Sequence, residues 1–358
     1  MDPTTKRSTW THSCPTWILG PRSAHPKFGG GVIINGILSV SDRLTQLHQR
    51  FPQDLTSAHN LHEVAIYSEE NEELPPFNSP YAISKNVLGF EIEGNDMPRF
   101  SAFTHPAFGY AGAENGAILN PDPKMRELAV LGHRIAIARS LEFKKRGIGL
   151  GHVIWWPAFD SRHNRGPLAE MSHDGAWLAL QKFWIGILKD SDAIACLEYK
   201  PSVPGVLDFI PTMRAAIDFC QEVNLQLGRR AMVINLEWAH ALIGGQTVCE
   251  ATVMQLKASL FGGLVHVNSA ELAQVDWSDI GLNIISGAPG DDKDWAVGEG
   301  GRNRWDDQQQ AVALLDSLGV EITAEHDIDP AGEDPFECYG RSRANLEKMI
   351  ANIRGKAA

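Results

Sequence analysis

Residues 193–200 read Ala193-Ile194-Ala195-Cys196-Leu197-Glu198-Tyr199-Lys200, an apolar run that ends in a carboxylate and an ammonium group. In a strand, side chains alternate between two faces, so Glu198 and Lys200 share one face with Cys196. Burying a lysine beside a glutamate is costly unless the two groups pair with each other or serve a ligand. The run therefore predicts a strand whose C-terminal end carries functional groups, and a structural ion pair is the alternative.

Three later apolar runs also end in polar side chains that can bind a metal ion. The polar residues at their ends are Glu237 and His240, then His266 and Asn268, and finally Glu325, His326 and Asp327. In a (β/α)8 barrel all strands present their C-terminal ends at one rim, where active sites lie. The recurrence predicts an α/β TIM barrel with a polar site at that rim.

The donor types at these ends indicate a divalent cation. Carboxylates and imidazoles without a thiolate suit a hard-to-borderline ion in octahedral geometry; Mn²⁺ and Mg²⁺ fit best, and Co²⁺ can substitute. If the chain turns into a helix or loop after Glu237, the three-residue offset brings His240 back over that carboxylate. One carboxylate can then bridge two metal sites. For His240 alone, an ordinary surface or core histidine is the alternative.

Composition limits the class of protein. The chain has 358 residues, of which 43% are hydrophobic and 21% charged, with a net charge of −12. That length fits one barrel with insertions, and the negative charge argues against a nucleic-acid-binding groove. Five widely spaced cysteines form no disulfide or zinc pattern. The N-terminus is polar, and the longest apolar stretch, near residues 177–188, is interrupted by Gln181 and Lys182, so we expect a cytoplasmic protein that spans no membrane.

Strand and helix patterns alternate along most of the chain, which predicts a parallel sheet closed into a barrel. Strands are expected at 9–14, 99–103, 153–156, 193–197, 231–236, 264–268 and 321–327. Helices are expected at 41–50, 122–146, 209–227, 248–261, 307–318 and 335–353. The second strand is not placed within residues 51–95. The glycine-rich stretches 287–294 and 298–301 are interpreted either as a mobile loop over the site or as plain surface loop.

Taken together, the motifs resemble those of the xylose isomerase-like TIM barrels, over roughly Trp10 to Pro335. They are Phe103-Thr104-His105-Pro106, Trp155-Trp156-Pro157, Leu197-Glu198-Tyr199-Lys200-Pro201, Glu237 with His240, His266-Val267-Asn268 and His326-Asp327. Among family members, sugar isomerases of the xylose and L-rhamnose kind look most similar. The resemblance implies a single-domain barrel over residues 1–335, followed by a C-terminal helix and tail over 336–358.

The resemblance also implies roles for individual residues. One metal ion would be held by Glu198, Glu237, His266 and Asp327, and a second by Glu237, His240, Asp276 and Asp279. Lys200, His240 and Glu198 would be the catalytic groups, with Lys200 polarising the substrate carbonyl. The residues expected to contact substrate are Phe103, Trp156, His105 and Asn268. For Trp156, simple packing at the barrel mouth is an equal alternative.

The implied reaction is interconversion of an aldose and a ketose, both unphosphorylated, by a Mn²⁺-preferring homo-oligomer. The sequence departs from the family at Asn268, which replaces an aspartate of the xylose enzymes, and at the wide spacing of Asp276 and Asp279. A ring-opening histidine is not evident either; His48, His59 and His62 are candidates, and the best local match offers Arg50.

These departures leave other functions open. The first is a single-metal keto-sugar epimerase, dehydratase or C-glycoside-cleaving lyase on the same barrel, a class in which some members work with a small partner subunit. A sugar-binding scaffold subunit without activity is the non-enzyme alternative. An abasic-site endonuclease would need a basic DNA-facing surface, which the net charge of −12 opposes.

Overall fold

The computed structural model describes residues 6–15, 18, 46–58, 99–104, 116–157, 173–203, 206–272, 294–330 and 333–355. Within these ranges eight parallel strands close into a barrel, in the order β1-β2-β3-β4-β5-β8-β9-β10 and back to β1. The barrel strands are β1 (Thr9–Pro15), β2 (Leu55–Ala58), β3 (Phe100–Thr104), β4 (Gly149–Trp155), β5 (Ile194–Leu197), β8 (Met232–Glu237), β9 (Phe261–His266) and β10 (Glu321–Glu325). The predicted (β/α)8 barrel is confirmed.

Helices and one small hairpin connect these strands. The helices are α1 (Pro123–Lys145), α2 (His173–Leu188), α3 (Met213–Leu227), α4 (Trp238–Ile243), α5 (Val248–Lys257), α6 (Arg302–Asp316) and α7 (Pro335–Gly355). The hairpin pairs β6 (Ser202–Val203) with β7 (Val206–Leu207) just beyond the end of β5. No helix in the described ranges is long and apolar enough to cross a membrane.

Local sequence explains where several helices begin. The side chain of Asp122 accepts a hydrogen bond from the Lys124 backbone N–H, and Pro123 occupies the first turn of α1. Thr212 caps α3 in the same way, so this helix begins at Met213 and not at the predicted residue 209. Thr247 and Glu250 form a complete capping box at the start of α5.

Several predicted bounds are corrected by the structure. The second strand, not located from sequence, is Leu55–Ala58, and α2 occupies the apolar stretch considered above only as a membrane candidate. The helix predicted to reach residue 261 ends at Lys257, and β9 begins three residues before the predicted 264. Gly262 and Gly263 weaken the strand signal there. A Cβ on Gly262 would lie 2.5 Å from Val233 Cγ2, so β9 needs glycine at this position.

The barrel has an inner and an outer apolar layer. The inner cluster takes one residue from each of five adjacent strands: Ala102, Ile154, Cys196, Val233 and Leu264. The larger outer cluster lies between the strands and the surrounding helices, with Trp155, Trp184 and Phe219 among its largest buried side chains. The inner cluster fills the barrel, so polar side chains from the strand ends meet above a packed floor.

The C-terminal helix α7 packs against α6 and makes polar contacts with residues in β1, before β2 and after β10. Tyr339 donates a hydrogen bond to Asp54 (2.7 Å), and Ser342 Oγ lies 2.9 Å from His326 Nδ1. His326 Nε2 lies 3.0 Å from His12 Nδ1. Burial lowers the pKa of both histidines, which favours their neutral forms. The helix matches the predicted span 335–353 closely, whereas the domain boundary after residue 335 stays a prediction.

Candidate metal centre

Four residues predicted as ligands of one metal ion meet at the rim. Glu237 and His266 are the last residues of β8 and β9 and lie opposite each other in the parallel ladder. Glu198 follows β5 directly, and Asp327 lies two residues after β10. All four side chains are buried, and one ligand atom from each lies within 4.8 Å of the others.

The distances within this cluster fit a shared ion. His266 Nδ1 lies 3.0 Å from Glu198 Oε2, 3.4 Å from Asp327 Oδ2 and 3.8 Å from Glu237 Oε2. Ligand atoms about 2.1 Å from a common cation are roughly 3 to 4 Å apart. Three buried carboxylates in so small a volume are costly without a compensating positive charge. The donors and their spacing therefore fit a divalent cation.

The pKa values of the ligand side chains are shifted because several ionisable groups lie close together in a buried site. Burial, together with the nearby Glu198 and Asp327 carboxylates, raises the pKa of Glu237 to about 7. Burial also acts to raise the pKa of Glu198, but the adjacent His266 lowers it to about 2. Burial opposes charge on His266, yet Glu325 and Glu198 raise its pKa well above the usual value. Without a cation, protons therefore balance part of the negative charge.

We predict that the affinity for Mn²⁺ rises with pH. Glu237 and His266 both have raised pKa values, so each holds a proton below about pH 7, and a metal ion must displace it. The apparent dissociation constant should fall about tenfold per pH unit for each proton displaced. Isothermal titration between about pH 6 and pH 8, in two buffers of different ionisation enthalpy, measures both quantities. An affinity that is independent of pH would contradict the assigned ligands.

His240 lies beside the cluster, on the first turn of α4. Its Nδ1 is 3.2 Å from Glu237 Oε2 and 4.0 Å from Glu198 Oε1. The helix begins immediately after Glu237, and this produces the three-residue offset expected from the sequence. His240 therefore contacts Glu237, which is also one of the four residues of the cluster.

Asn268 joins three segments at the rim. Its Nδ2 lies 2.8 Å from Glu237 Oε1, 3.0 Å from Asp294 Oδ1 and 2.9 Å from the Asp327 carbonyl oxygen. Its Oδ1 accepts a hydrogen bond from the Ala239 N–H (2.7 Å). In this structure the amide is engaged by protein groups, so its direct action is to hold Glu237.

Asp294 is a carboxylate near the site that the sequence analysis did not select. It lies on the same side of the cluster as Glu237, because both carboxylates accept a hydrogen bond from Asn268 Nδ2. Its φ of 41° is positive, which is uncommon for a residue other than glycine. The sequence signal for it is the Asp-Asp-Lys-Asp run at 291–294, at the end of the glycine-rich stretch 287–294. Asp276 and Asp279, the predicted acids, lie outside the described residues.

Lys200 lies two residues beyond Glu198, and its buried ammonium group lies against an aromatic ring. Its Nζ lies 4.9 Å from the centre of the Trp156 ring, while only 5% of the residue is exposed. Trp156 in turn donates a hydrogen bond from Nε1 to Asp208 Oδ2 (3.3 Å), just after the β6–β7 hairpin. Asp208 thus fixes the indole, and the indole face favours a charged ammonium group.

Not every predicted site residue joins the cluster. Phe103 packs against Phe100 and Phe143 in the outer core, with ring centres 5.5 and 5.2 Å away. The ladders on both sides of β3 are irregular, so residues 100 and 103 share the outer face although simple alternation would separate them. Arg50 pairs with Asp334 and lies over the Phe336 ring. His105, His59 and His62 lie outside the described residues.

Solved structures with a similar fold cover nearly the whole chain. An L-ribulose 3-epimerase superposes with a TM-score of 0.56 at 12% identity, over 98% of this chain and 97% of its own. A xylose isomerase-like TIM barrel protein from Mycobacterium smegmatis, in complex with magnesium, gives 0.54 at 14%, over 96% and 98%. A 3-keto-D-glucoside 4-epimerase from E. coli gives 0.52 at 13%, over 86% and 93%.

Sequence comparison adds nothing to this likeness, because no protein-family model and no curated protein matches the chain. At these identities the structural likeness shows a shared fold. The chain therefore has the xylose isomerase-like TIM-barrel fold predicted from its motifs.

Proposed function

We propose that this protein is a divalent-metal-dependent isomerase that interconverts an aldose and a ketose, both unphosphorylated. The observation that carries the proposal is a buried lysine two residues beyond a ligand of the four-residue cluster. Glu198 joins the cluster, and Lys200 is held nearby against Trp156. An enzyme that shifts hydrogen between neighbouring sugar carbons must stabilise negative charge on the oxygens of those two carbons. A cation bound by the cluster, together with the Lys200 ammonium group, would supply the positive charge for this.

The residues proposed to hold the ion are Glu198, Glu237, His266 and Asp327. Their oxygen and nitrogen donors suit Mn²⁺ best, with Mg²⁺ and Co²⁺ as substitutes. The similar protein from M. smegmatis is in complex with magnesium. When bound, such an ion acts as a Lewis acid toward the oxygens of the sugar.

The protein groups around the ion have separate tasks. The Lys200 ammonium can donate a hydrogen bond to the carbonyl oxygen of an open-chain sugar. The face of Trp156 keeps that ammonium group in place and excludes water from one side of it. Carboxylates crowd the site, so an anionic phosphate group would be repelled, which supports an unphosphorylated substrate.

A second ion is part of the proposal. Glu237 and His240 are in contact (3.2 Å), and Asp294 lies on the same side through Asn268. We assign these three residues to the second position, with Asp276 and Asp279 as the acids expected from the sequence. The homo-oligomer, any small partner subunit and the cytoplasmic location stay predictions.

The second candidate is a keto-sugar epimerase that uses one ion. It is favoured by the single four-residue cluster found among the described residues. Epimerisation inverts a carbon beside a carbonyl by removing and returning a proton, and Glu198 or His240 could carry that proton. Two of the similar structures are sugar epimerases by name. Dehydration and C-glycoside cleavage start from the same proton removal.

One experiment separates these candidates. The chelated protein is reloaded with Mn²⁺ and incubated with a panel of pentoses and hexoses in D₂O, and the products are identified by NMR. Aldose–ketose interconversion supports the isomerase. Inversion of one carbon with deuterium incorporated there replaces the isomerase by the epimerase. If no sugar in the panel changes although Mn²⁺ binds, the isomerase proposal fails.

A further inference from the structure

Glu325 is a fully buried carboxylate at a strand end that is not among the four proposed ligands and to which the family resemblance assigns no role. It is the last residue of β10, and its Oε1 lies 3.1 Å from His266 Nε2. The other nitrogen of the same ring, Nδ1, faces Glu198, Glu237 and Asp327. One imidazole thus connects Glu325 to the proposed ligands.

Serine hydroxyls from two other strands hold Glu325 in place. Ser57 donates a hydrogen bond to Oε1 (2.7 Å) and Ser101 to Oε2 (3.0 Å). Ser13 Oγ lies 2.8 Å from Ser101 Oγ and supports it from β1. All three serines and Glu325 are completely buried. Donors engage both carboxylate oxygens, so the side chain has a fixed orientation.

We propose that Glu325 is a positioning residue for the metal centre, acting through His266. A neutral imidazole carries one N–H, and its location depends on the hydrogen bond that each nitrogen makes. Glu325 Oε1, 3.1 Å from Nε2, favours the tautomer with the hydrogen on Nε2, which leaves the Nδ1 lone pair on the side of the other three ligands. Carboxylate–histidine pairs of this kind orient ligands at known metal sites. The inference rests on the proposed metal centre.

The surroundings argue against a purely structural pair. The neighbouring interior positions on five strands are apolar or contain a cysteine, and they pack as one cluster. If the pair served the fold alone, apolar residues at both 266 and 325 would serve as well, because a buried ion pair seldom stabilises a fold more than well-packed apolar residues do. Glu325 instead adds a fourth buried carboxylate next to three others. That arrangement favours a centre that binds a cation.

The test compares Mn²⁺ dissociation constants by isothermal titration for wild type, Glu325→Met and Glu325→Gln. Methionine keeps the length of the side chain but provides no oxygen for the Nε2 hydrogen, so we expect binding about 10 to 100 times weaker. Glutamine retains a carbonyl oxygen and should restore part of this loss. Glu321→Gln, on the same strand but exposed, is the matched control and should bind like wild type.

Each result decides between supporting and overturning the inference. Equal affinity of Glu325→Met and wild type overturns it, as does a Glu325→Gln protein no better than Glu325→Met, which would show that only charge matters. If wild type itself does not bind Mn²⁺, the proposed metal centre fails as well.

Should Glu325→Met not fold, the double variant Ser57→Ala, Ser101→Ala keeps the carboxylate without its hydroxyl donors. Weaker Mn²⁺ binding by that variant supports the inference, and unchanged binding overturns it.

Discussion

Replacing Glu237 by glutamine should abolish most of the activity while leaving the metal-free protein at least as stable as wild type. Glu237 is 2% exposed, and its carboxylate lies among Glu198, His240 and His266. We expect turnover to fall at least about 10³-fold, because losing about 4 kcal/mol of charge stabilisation corresponds to that factor. Steady-state kinetics on the sugar identified in the panel measures this loss.

The expected stability of Glu237→Gln follows from the repulsion among the carboxylates of the cluster when a chelator removes metal ions. A raised pKa at Glu237 shows that its ionised form is disfavoured there, and a neutral amide of the same shape removes that cost. Asn268 can still donate to the amide oxygen, as it does to Glu237 Oε1. In chelator, the variant should therefore melt no lower than wild type.

The stabilisation that Mn²⁺ gives should distinguish Glu237→Gln from wild type. At about 100 times its dissociation constant, Mn²⁺ should stabilise wild type by about 2.7 kcal/mol. The variant should show little of this gain, whereas the exposed-site control Glu321→Gln should show all of it. A Glu237→Gln protein with wild-type Mn²⁺ affinity would remove Glu237 from the ligand set.

The second large effect is expected for Lys200→Met, which should reduce kcat by about 10² to 10³ without weakening metal binding. That range is the loss commonly seen when one preorganised donor to a developing oxyanion is removed. Methionine keeps the apolar stem of the lysine against Trp156 and removes a buried charge, so the fold should persist. Mn²⁺ affinity should stay equal or increase, because a nearby positive charge is removed.

Lys200→Arg is the companion variant. A planar guanidinium has a different shape and a different direction of donation from an ammonium group, so we expect it to restore little of the lost kcat. Kinetics combined with Mn²⁺ titration distinguishes a missing donor from a missing metal ion. Full kcat in Lys200→Met would mean that Lys200 only balances charge in the site.

The strand ends that build the site could be predicted because their signals are local. Runs such as residues 193–197 and 231–236 are mainly apolar, and the residue that follows each run is a metal-type ligand. Parallel closure then brings Glu198, Glu237, His266 and Asp327 together. The three-residue offset of His240 is equally local, because one helical turn produces it.

Other parts of the site were not predictable, because irregular backbone decides them. An irregular pairing along β3 turns Phe103 into the outer core, where strict alternation would have placed it on the same face as Ser101. Asp294 contacts Asn268 from a backbone with a positive φ, and no periodic pattern predicts that contact. The strand signal at β9 is weakened by Gly262, which the packing of Val233 requires, and by Gly263, which has a positive φ.

The sequence by itself determined the barrel, most of its strand ends and the four metal-type side chains that meet at one rim, because alternation and capping act over a few residues. Only the tertiary structure decided which further polar side chains reach those ligands. Glu325 meets hydroxyls from β2 and β3, although Ser57 and Ser101 are more than two hundred residues away along the chain. Such contacts depend on barrel closure and register, which fix side-chain positions that no local stretch of sequence specifies.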